Sequence, residues 1–337
     1  MTAARRSEGP RLDGILVVAK PAGPTSHDVV ALVRRLTSVR RVGHGGTLDP
    51  FATGVLPVFL GHATRMVEYH LADEKAYRAS VVLGARSSTD DIDGELTPGE
   101  APPPGRAEVA AALGDFQGPI VQVPPDHSAV HVEGRRAYQL ARQGERPQLP
   151  PRAVTIHALE LVEWDDADPA RPVAVIDVRC SAGTYVRALA RDVGARLGCG
   201  AYLGALTRTA SGPFSLAEAH PLEQVREALA AGRTEALLVP MDAGLESIPT
   251  LRLGAGDREA LGRGQVIRLR EAGPSPALAP SEDASHPRGE EGAMGTGPDG
   301  RLVRVLDDAG GLVAMARLRG GRLYPDKVFI SPTIPGR

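Results

Sequence analysis

Short apolar runs alternate with amphipathic stretches over the first 245 residues, and this pattern predicts strands interleaved with helices. Residues 14–19 form an apolar run bounded by a glycine and the Lys20-Pro21 pair, which is typical of a buried strand. Thr25 and Asp28 then have the spacing of a capping box, and apolar residues follow at helical intervals. The sequence therefore predicts a strand followed directly by a helix.

Further elements are expected along the same part of the chain. Strands are predicted in KAYRASVVLG, HSAVHV, VTIHALELVEW and VAVIDVRC, and helices near residues 106–114, 136–143 and 184–197. Several glycines and Pro50 oppose any regular element across residues 43–50. Because the order is not a strict strand–helix–strand alternation, the predicted fold class is α+β, with a mixed sheet rather than a doubly wound one.

The last third of the chain predicts a second, β-rich unit. Strand-like runs lie on both sides of residues 271–300, namely GQVIRLR before them and RLVRVLDD, LVAMARLR and DKVFI after them. The segment between is rich in Gly, Pro and acidic residues, which predicts a long surface loop or disordered insert. With 337 residues the chain can hold two domains. We expect them at 12–245 and 249–331, behind a flexible basic N-terminus at 1–11.

The composition is that of an ordinary globular protein, with 42% hydrophobic and 24% charged residues. Two cysteines, Cys180 and Cys199, are too few for a disulfide framework, and no Cys/His spacing indicates zinc. The start of the chain lacks the apolar stretch of a signal peptide, and no window approaches the ~20 apolar residues of a membrane span. We therefore expect a soluble, cytoplasmic protein that does not bind a membrane.

The net charge of −2 argues against a polyanionic partner until its distribution is considered. Acidic residues concentrate in the 271–300 segment, whereas basic residues concentrate at the front of the chain: Arg5, Arg6, Arg11, Lys20, Arg34, Arg35, Arg40 and Arg41. A basic patch of this kind is compatible with nucleic-acid binding, although solvated surface charge is the commoner explanation of such a run.

The segment from His44 to Pro50, HGGTLDP, is the sharpest candidate for chemistry. Proline fixes its own φ and restricts the preceding residue, so Asp49 lies on a stiff, non-helical backbone. Such a backbone can present a carboxylate to a substrate, but Asp-Pro is also common in plain turns. The acidic run at residues 90–93 lacks the other ligands of a calcium loop, so it is interpreted as a solvated turn and no metal is predicted.

Taken together, five motifs resemble the bacterial tRNA pseudouridine(55) synthases of the TruB family. In family order they are GILVVAKPAGPTSHDVV, GHGGTLDPFATGVLPVFLGHATR, KAYRASVVLG, STDDIDGE and CSAGTYVRALARDVG. A weaker likeness, to the RNA-binding PUA domain, covers the C-terminal strands. The resemblance implies the pseudouridine synthase fold, a mixed and mainly antiparallel sheet with flanking helices, and a small β-rich PUA-like C-terminal domain.

The resemblance also implies an isomerase that converts uridine 55 in the T-loop of tRNA into pseudouridine without a cofactor. Asp49 matches the family's nucleophile, Arg187 the arginine that pairs with it, and Tyr77 the tyrosine that stacks on the flipped base and helps in proton removal. Attack at ribose C1′ and attack at uracil C6 are both open. The expected partner is tRNA, bound through its T-arm by a monomer.

Five further positions match residues near the substrate in this family, which implies substrate- or RNA-binding roles for them: Lys20, His44, Asp91, Tyr185 and Leu206. Simpler explanations exist, since a loop histidine is often plain surface and a leucine plain core. Three residues depart from the family pattern, namely Gly45, His127 and Ala182, and none of them is the nucleophile.

Two alternative functions are compatible with the same resemblance. The first is a non-catalytic protein that binds tRNA or assists its folding, a role that could also accompany catalysis. The intact Asp49 and Tyr77 argue against a pure binding protein, which needs neither. The second is the guide-RNA-directed branch of the superfamily, against which the absence of long basic tails argues.

Overall fold

The computed structural model of the chain describes residues 12–128, 130–132, 135–137, 140, 143, 148–269 and 300–329. The predicted flexible N-terminus and nearly all of the predicted insert lie outside these residues, as does most of the helix predicted near 136–143. In the described part, the helices are α1 (Ser26–Thr37), α2 (Val67–His70), α3 (Arg106–Leu113), α4 (Val186–Leu197), α5 (Leu222–Ala230) and α6 (Ala255–Gly262).

The strands of the described residues follow in chain order. They are β1 (Gly14–Lys20), β2 (Val42–His44), β3 (Thr53–Leu60), β4 (Lys75–Leu83), β5 (Ala85–Ser87), β6 (Leu96–Pro98), β7 (Gly118–Gln122), β8 (His131–Val132), β9 (Arg135–Arg136), β10 (Arg152–Asp165), β11 (Val173–Cys180), β12 (Ala201–Ser211), β13 (Phe214–Ser215), β14 (His220–Pro221), β15 (Leu238–Val239), β16 (Thr250–Arg252), β17 (Ile267–Arg268), β18 (Arg301–Leu306), β19 (Leu312–Arg319) and β20 (Arg322–Val328).

Eleven of these strands form one large sheet. Its main path runs β14-β1-β3-β12-β4-β11-β10-β7, and β13, β15 and β2 pair alongside it. The pairs β1 with β14 and β3 with β12 are parallel. The other pairs of this sheet are antiparallel. The predicted α+β class, with a mixed and mainly antiparallel sheet, is confirmed.

Helix α1 begins where the sequence predicts it. The Thr25 hydroxyl accepts a hydrogen bond from the Asp28 amide at 3.1 Å, and the Asp28 carboxylate accepts one from the Thr25 amide at 2.8 Å. These bonds satisfy amides near the start of the helix that have no partner within it. The capping box that the spacing predicts is therefore present.

The boundaries near residues 43–50 and at the start of α4 differ from the prediction. The segment 43–50 was expected to be irregular, but β2 extends into it because Val42–His44 pairs with the end of β3. Helix α4 begins at Val186 rather than at residue 184. Tyr185 is still extended, with φ −104° and ψ 109°, and its amide donates to the Gln122 side chain.

The two faces of the large sheet are covered by different parts of the chain. On β1, Leu16 and its alternate neighbours pack against α1 and α5, in a cluster that includes Val33 and Val225. Ile15 points to the opposite face, because successive strand residues alternate, and belongs to a cluster that includes Met315 of the second sheet. Helices therefore cover one face and the C-terminal sheet covers the other.

Helices α3 and α4 cover the middle of the sheet. Val109 of α3 and Leu189 of α4 pack in one cluster with Ala79, Ile176 and Leu206 of the central strands. The register places Leu206 on the same face as the residues of β3 that contact α1. The helical face therefore has α1 on one side of β12 and α4 on the other.

The C-terminal sheet has five strands in the order β16-β18-β19-β20-β17, as expected for a small β-rich domain. It is joined to the N-terminal part of the chain through the region around α2. Tyr69 donates a hydrogen bond to the Asp326 carboxylate at 3.0 Å, and the Arg65 guanidinium donates to the Val328 carbonyl at 2.6 Å. An ion pair of 2.9 Å joins Arg304 to Asp242.

Candidate active site

Four residues in one row across the large sheet form the floor of the candidate site. Lys20 of β1 pairs with Gly54 of β3, and Gly54 in turn pairs with Arg208 of β12. Arg208 also pairs with Tyr77 of β4, so the four residues lie side by side. Lys20 and Arg208 are each 1% exposed, so two cations are buried beneath the site. Charges buried this deeply need polar partners, which the adjoining loop supplies.

That loop, residues 45–50, carries Asp49 and is held from below by the two cations. The Lys20 ammonium donates to the carbonyls of Pro21 (2.9 Å), Pro24 (2.8 Å) and Pro50 (3.3 Å). All three of its protons are thus directed at the protein's own backbone. Lys20 therefore fixes the residue directly after Asp49.

Arg208 holds the beginning of the same loop. Its guanidinium donates to the carbonyls of Gly46 at 3.1 Å and Thr47 at 3.4 Å, and its Nε donates to the Val55 carbonyl at 2.7 Å. A third anchor is Ser26 in the first turn of α1, whose hydroxyl both donates to and accepts from the Leu48 backbone. The loop backbone is thereby fixed on both sides of the carboxylate.

Asp49 and Arg187 form a two-pronged contact above the floor. The distances are 3.0 Å from Arg187 Nε to Asp49 Oδ2 and 3.3 Å from Nη2 to Oδ1. The Asp49 side chain is 34% exposed and that of Arg187 only 6%. A substrate can therefore reach the carboxylate while the arginine stays behind it. Such a fork fixes the orientation of the carboxylate as well as its charge.

Arg187 is itself held by three other groups. Its Nη1 donates to the buried Asp91 carboxylate at 3.1 Å and to the Thr89 carbonyl at 3.2 Å, and its Nη2 donates to the His127 carbonyl at 2.9 Å. Arg187 thus stands between two carboxylates, and every contact is charge-assisted. Asp91 lies on the far side of the arginine from Asp49.

Opposing influences act on the Asp49 carboxyl. Burial raises its pKa above the ordinary value, and the Arg187 guanidinium opposes that rise. Asp91 raises the pKa further and Lys20 lowers it. Arg187 and Lys20 therefore favour the ionised form of Asp49, which a nucleophile needs, whereas burial and Asp91 disfavour it.

The neighbouring groups respond to the same burial. Burial lowers the pKa of Lys20 to about 8, against the pull of Asp49, and Arg208 lowers it further. Burial likewise lowers the pKa of His44 to about 4, so this histidine is neutral at physiological pH. Burial raises the pKa of the Tyr77 phenol, which the Arg208 cation opposes, so Tyr77 keeps its proton near neutrality.

Tyr77 and Leu206 lie side by side on the central strands. Leu206 pairs with Ala79 of β4, and Arg208 pairs with Tyr77 of the same strand. Leu206 and Tyr77 are therefore diagonal neighbours on one face of the sheet. Leu206 is 8% exposed and belongs to the core cluster against which the Tyr77 ring packs. An aromatic ring and an aliphatic wall therefore line the position next to the carboxylate.

His44 and Tyr185 are held by different parts of the fold, β2 and the residue before α4. The His44 ring meets the His27 ring edge-on at 5.6 Å, and its buried Nδ1 has no hydrogen-bond partner in the structure. Tyr185 is fixed through its backbone, whose amide and carbonyl bind the two ends of the buried Gln122 amide group. The Arg152 guanidinium lies 5.7 Å from the centre of the Tyr185 ring.

The structure thus brings the three predicted catalytic residues, Asp49, Tyr77 and Arg187, to one place. Asp49 is coupled to both of the others, since Arg187 and Asp49 are paired and the Asp49 charge raises the pKa of Tyr77. The Lys20 ammonium is directed at backbone carbonyls, and the Asp91 carboxylate accepts from Arg187, from the Thr89 hydroxyl and from the Asp93 amide. Their predicted contacts with RNA stay predictions.

Sequence reasoning missed Arg208 and Ser26. Arg208 lies in a run that reads as an ordinary alternating strand, and its bonds reach carbonyls 153 to 162 residues away. Ser26 lies 22 residues from Leu48. No local pattern predicts pairings of this length. One feature of the sequence could have indicated Arg208: it is a charged residue at a strand position where the alternation predicts a buried side chain.

No group of three or more His, Cys, Asp or Glu that could hold a metal ion occurs among the residues for which the structure gives positions. The helices in that part of the chain are also too short or too polar to span a membrane.

A mixed sheet whose helical face carries an arginine-bound aspartate beside a tyrosine is the arrangement that the motifs predict for a pseudouridine synthase. Two family models match the chain: TruB family pseudouridylate synthase (N terminal domain) over residues 34–186, and tRNA pseudouridylate synthase B C-terminal domain over residues 187–246. The chain belongs to the TruB family of pseudouridylate synthases.

Curated relatives agree with this assignment. The chain is 47% identical over 258 residues to tRNA pseudouridine synthase B of Synechococcus sp. (strain WH7803), covering 75% of this chain and 84% of the relative. It is 42% identical over 323 residues to tRNA pseudouridine synthase B of Moorella thermoacetica (strain ATCC 39073 / JCM 9320), covering 94% of this chain and 99% of the relative. The second alignment includes the C-terminal sheet.

Solved structures share the fold at lower identity. One, titled "Structure of H/ACA RNP bound to a substrate RNA containing 2'-deoxyuridine", superposes with a TM-score of 0.66 at 24% identity and covers 95% of this chain and 86% of that chain. Another, titled "Crystal Structure of a Cbf5-Nop10-Gar1 Complex", gives a TM-score of 0.65 at 25% identity, with 95% and 85% covered. The predicted fold is thereby confirmed.

Proposed function

We propose that this protein isomerises uridine 55 in the T-loop of tRNA to pseudouridine, with Asp49 as the nucleophile. The observation that carries the proposal is the two-pronged Asp49–Arg187 contact on a fixed loop, with the carboxylate partly exposed and the arginine buried. A buried guanidinium favours the ionised carboxylate, which is the reactive form. The curated relatives are named for the same activity on tRNA.

The reaction rearranges one nucleotide and exchanges nothing but a proton. The N1–C1′ bond of uridine breaks, the uracil turns, and a new bond forms between C5 and C1′. The hydrogen on C5 leaves as a proton, and N1 takes up a proton in its place. The Asp49 carboxylate attacks either ribose C1′ or uracil C6, and either adduct breaks down again to return the carboxylate. A covalent nucleophile divides one difficult exchange into two easier steps.

The target uridine must leave its stack to meet Asp49. A flipped base loses stacking, and a side chain that replaces it recovers about 1–3 kcal/mol. Tyr77 supplies an aromatic face beside the carboxylate, and Leu206 supplies an apolar wall. Excluding water there protects the detached base from competing hydrolysis. Tyr77 acts with its proton in place, so its hydroxyl donates or relays a proton more readily than its phenolate removes one.

The RNA reaches this site across the basic end of α1. The exposed arginines Arg34 and Arg35 lie in the last turn of that helix, and Arg40 and Arg41 directly precede β2, which ends at His44. Phosphate contacts of this kind supply affinity, whereas the folded shape of the T-loop and its splayed bases supply specificity. We assign His44 and Tyr185 to contacts with the flipped nucleotide and its neighbours.

The domain roles follow from the same proposal. Residues 12–245 form the catalytic domain, and the C-terminal sheet acts as a PUA-like RNA-binding domain. Because one chain holds Asp49, Tyr77 and Arg187 together, a monomer suffices for catalysis. The place of action is the cytoplasm, where tRNA is available.

The test is release of tritium from tRNA whose uracils carry the label at C5. We expect the wild type to release label from one T-loop uridine per tRNA and Asp49→Asn to release none while still binding tRNA. Turnover by Asp49→Asn would overturn the assignment of the nucleophile. Refolding of tRNA with both proteins then separates catalysis from assistance in folding, since an independent folding role survives in Asp49→Asn.

A further inference from the structure

Arg191 repeats, one helical turn later, the kind of contact that Arg187 makes. Both lie on α4 four residues apart, so their side chains share one face of the helix. Arg191 Nη1 lies 2.9 Å from the Asp90 carboxylate, and its Nη2 donates to the Val123 carbonyl at 2.9 Å. Each arginine therefore binds one aspartate of the pair Asp90 and Asp91 and one carbonyl of the segment 123–127, and Arg191 also pairs with Asp192 at 2.9 Å.

The two aspartates are consecutive, so the contacts of the two arginines are linked through one peptide. Asp90 adopts a left-handed backbone conformation, with φ +63°, which non-glycine residues rarely adopt. Its carbonyl accepts a hydrogen bond from the Leu203 amide at 3.0 Å, and its side chain is only 16% exposed. The direction in which Asp91 leaves this turn is thus fixed from both the backbone and the carboxylate of Asp90.

We propose that Arg191 is a positioning residue for the catalytic pair. By holding Asp90 and the Val123 carbonyl, it fixes where Asp91 and the segment 123–127 lie. Those two groups in turn hold the Arg187 guanidinium in place against Asp49. Arg191 acts through its neighbours and touches no reacting atom. The effect on rate rests on the proposed function, whereas the effect on the position of the two segments does not.

Helix α4 contains a matched control. Arg196 is also paired with an aspartate, Asp115, at 2.9 Å, but both side chains are more than half exposed. Exposed pairs of this kind contribute little. Substituting Arg196 removes the same type of side chain from the same helix without touching the residues around Asp49.

The activity experiment compares wild type, Arg191→Gln, Arg191→Lys, Asp90→Asn, the double variant Arg191→Gln/Asp90→Asn, and Arg196→Gln. Single-turnover tritium release is measured with saturating enzyme, together with tRNA affinity and thermal stability. We expect Arg191→Gln to slow release about ten- to a hundredfold with affinity changed little, because small displacements of catalytic groups have effects of that size. Arg191→Lys should recover part of the rate, and Arg196→Gln should match wild type.

Two features of the data separate positioning from a general loss of stability. The double variant should be no slower than Arg191→Gln alone, because the contact that Asp90→Asn weakens, Arg191 with Asp90, is already lost in Arg191→Gln. The acid limb of the rate profile should move to higher pH in Arg191→Gln, since a displaced Arg187 lowers the pKa of Asp49 less. Additive rate losses with an unmoved acid limb would overturn the proposal.

Hydrogen–deuterium exchange tests the positioning without any activity. In Arg191→Gln, amide exchange should become faster in peptides covering 87–93 and 123–128, and stay at the wild-type rate in Arg196→Gln. Unchanged protection in those peptides would refute the inference even if the variant were slow. If the wild type released no tritium but the protection changed as expected, the proposed function would fail and the positioning role of Arg191 would stand.

Discussion

The Asp49 carboxylate and the Arg187 guanidinium meet at 3.0 and 3.3 Å although 138 residues separate them in the chain. One lies on a loop whose backbone is fixed by buried cations, and the other near the start of a helix. Each side chain is held by separate contacts, so a displacement of one is not matched by a movement of the other. The contact therefore depends on the positions of both the loop 45–50 and helix α4.

The first prediction concerns the geometry of that contact. Arg187→Lys keeps the charge but loses the planar fork that binds both carboxylate oxygens and three further acceptors. We expect single-turnover tritium release to fall about a hundredfold or more, the size of effect seen when a preorganised donor is removed. Measured tRNA affinity should change little. A rate within a few-fold of wild type would show that charge alone suffices.

The second prediction concerns the dependence of the rate on pH. Burial raises the pKa of Asp49, so its carboxylate takes up a proton at a higher pH than a free aspartate, whose pKa is about 3.9. The rate should accordingly fall as the pH drops through that raised value. Removing the opposing cation, in Arg187→Gln, should move this acid limb to still higher pH. A limb that stays in place would mean that another group limits the rate.

Much of the site could be predicted from the sequence, because its motifs are short and local. Asp49 could be singled out as a candidate from its Asp-Pro turn, whereas Tyr77 and Arg187 could be assigned only because their motifs resemble those of the TruB family. The structure brings all three together. The capping box of α1 could be predicted for the same reason, since Thr25 and Asp28 are three residues apart.

What the sequence did not reveal depends on long-range contacts. The contacts of the Lys20 ammonium with three carbonyls, one of them 30 residues away, follow from no local pattern, and its predicted role near the substrate stays a prediction. Arg208 and Ser26 hold the catalytic loop across comparable or greater distances. Helix α5 was also missed, although Leu222, Val225 and Leu229 have helical spacing. The helical spacing was visible in the sequence, but a stretch of nine residues is too short to predict a helix clearly.

The third prediction uses the buried ammonium of Lys20. Burial lowers its pKa to about 8, below the ordinary value, so the amine loses its proton as the pH rises through 8. The neutral amine has one donor fewer for the three carbonyls, and the loop that carries Asp49 should loosen. The rate should therefore show an alkaline limb near pH 8. In Lys20→Met the rate should be low at all pH values and this limb should be absent; a persistent limb near pH 8 would assign it to another group.

The fourth prediction concerns the close approach of β3 and β12. Gly54 has φ +105°, and a Cβ there would lie 2.2 Å from the Arg208 carbonyl oxygen, so the strands must separate to admit a side chain. Gly54→Ala should lower the free energy of unfolding by about 3 kcal/mol or more, through strain and lost strand pairing. Gly43→Ala is the control, because Gly43 has ordinary φ and open space around its Cβ position.

Chemical denaturation of the two glycine variants provides the measurement. Gly43→Ala should unfold within about 1 kcal/mol of wild type, since a new methyl group there meets no other atom. If both variants were equally destabilised, the effect would come from loss of glycine as such rather than from the contact with Arg208. If neither were, the two strands would have to tolerate a wider spacing than the structure has.

The last prediction concerns the salt dependence of tRNA binding. Arg40 and Arg41 are exposed directly before the strand that leads to His44, where phosphates of a bound T-arm would pass. Each phosphate contact releases counterions, so replacing both arginines should weaken binding and reduce the slope of log affinity against log salt by about one unit per arginine. Arg106→Gln, which replaces an exposed arginine at the start of α3, should leave the slope unchanged.

Single-turnover rates at saturating enzyme should equal wild type in the Arg40→Gln/Arg41→Gln variant, because the carboxylate and its arginine are untouched. An unaltered slope in that variant would place the path of the RNA backbone elsewhere.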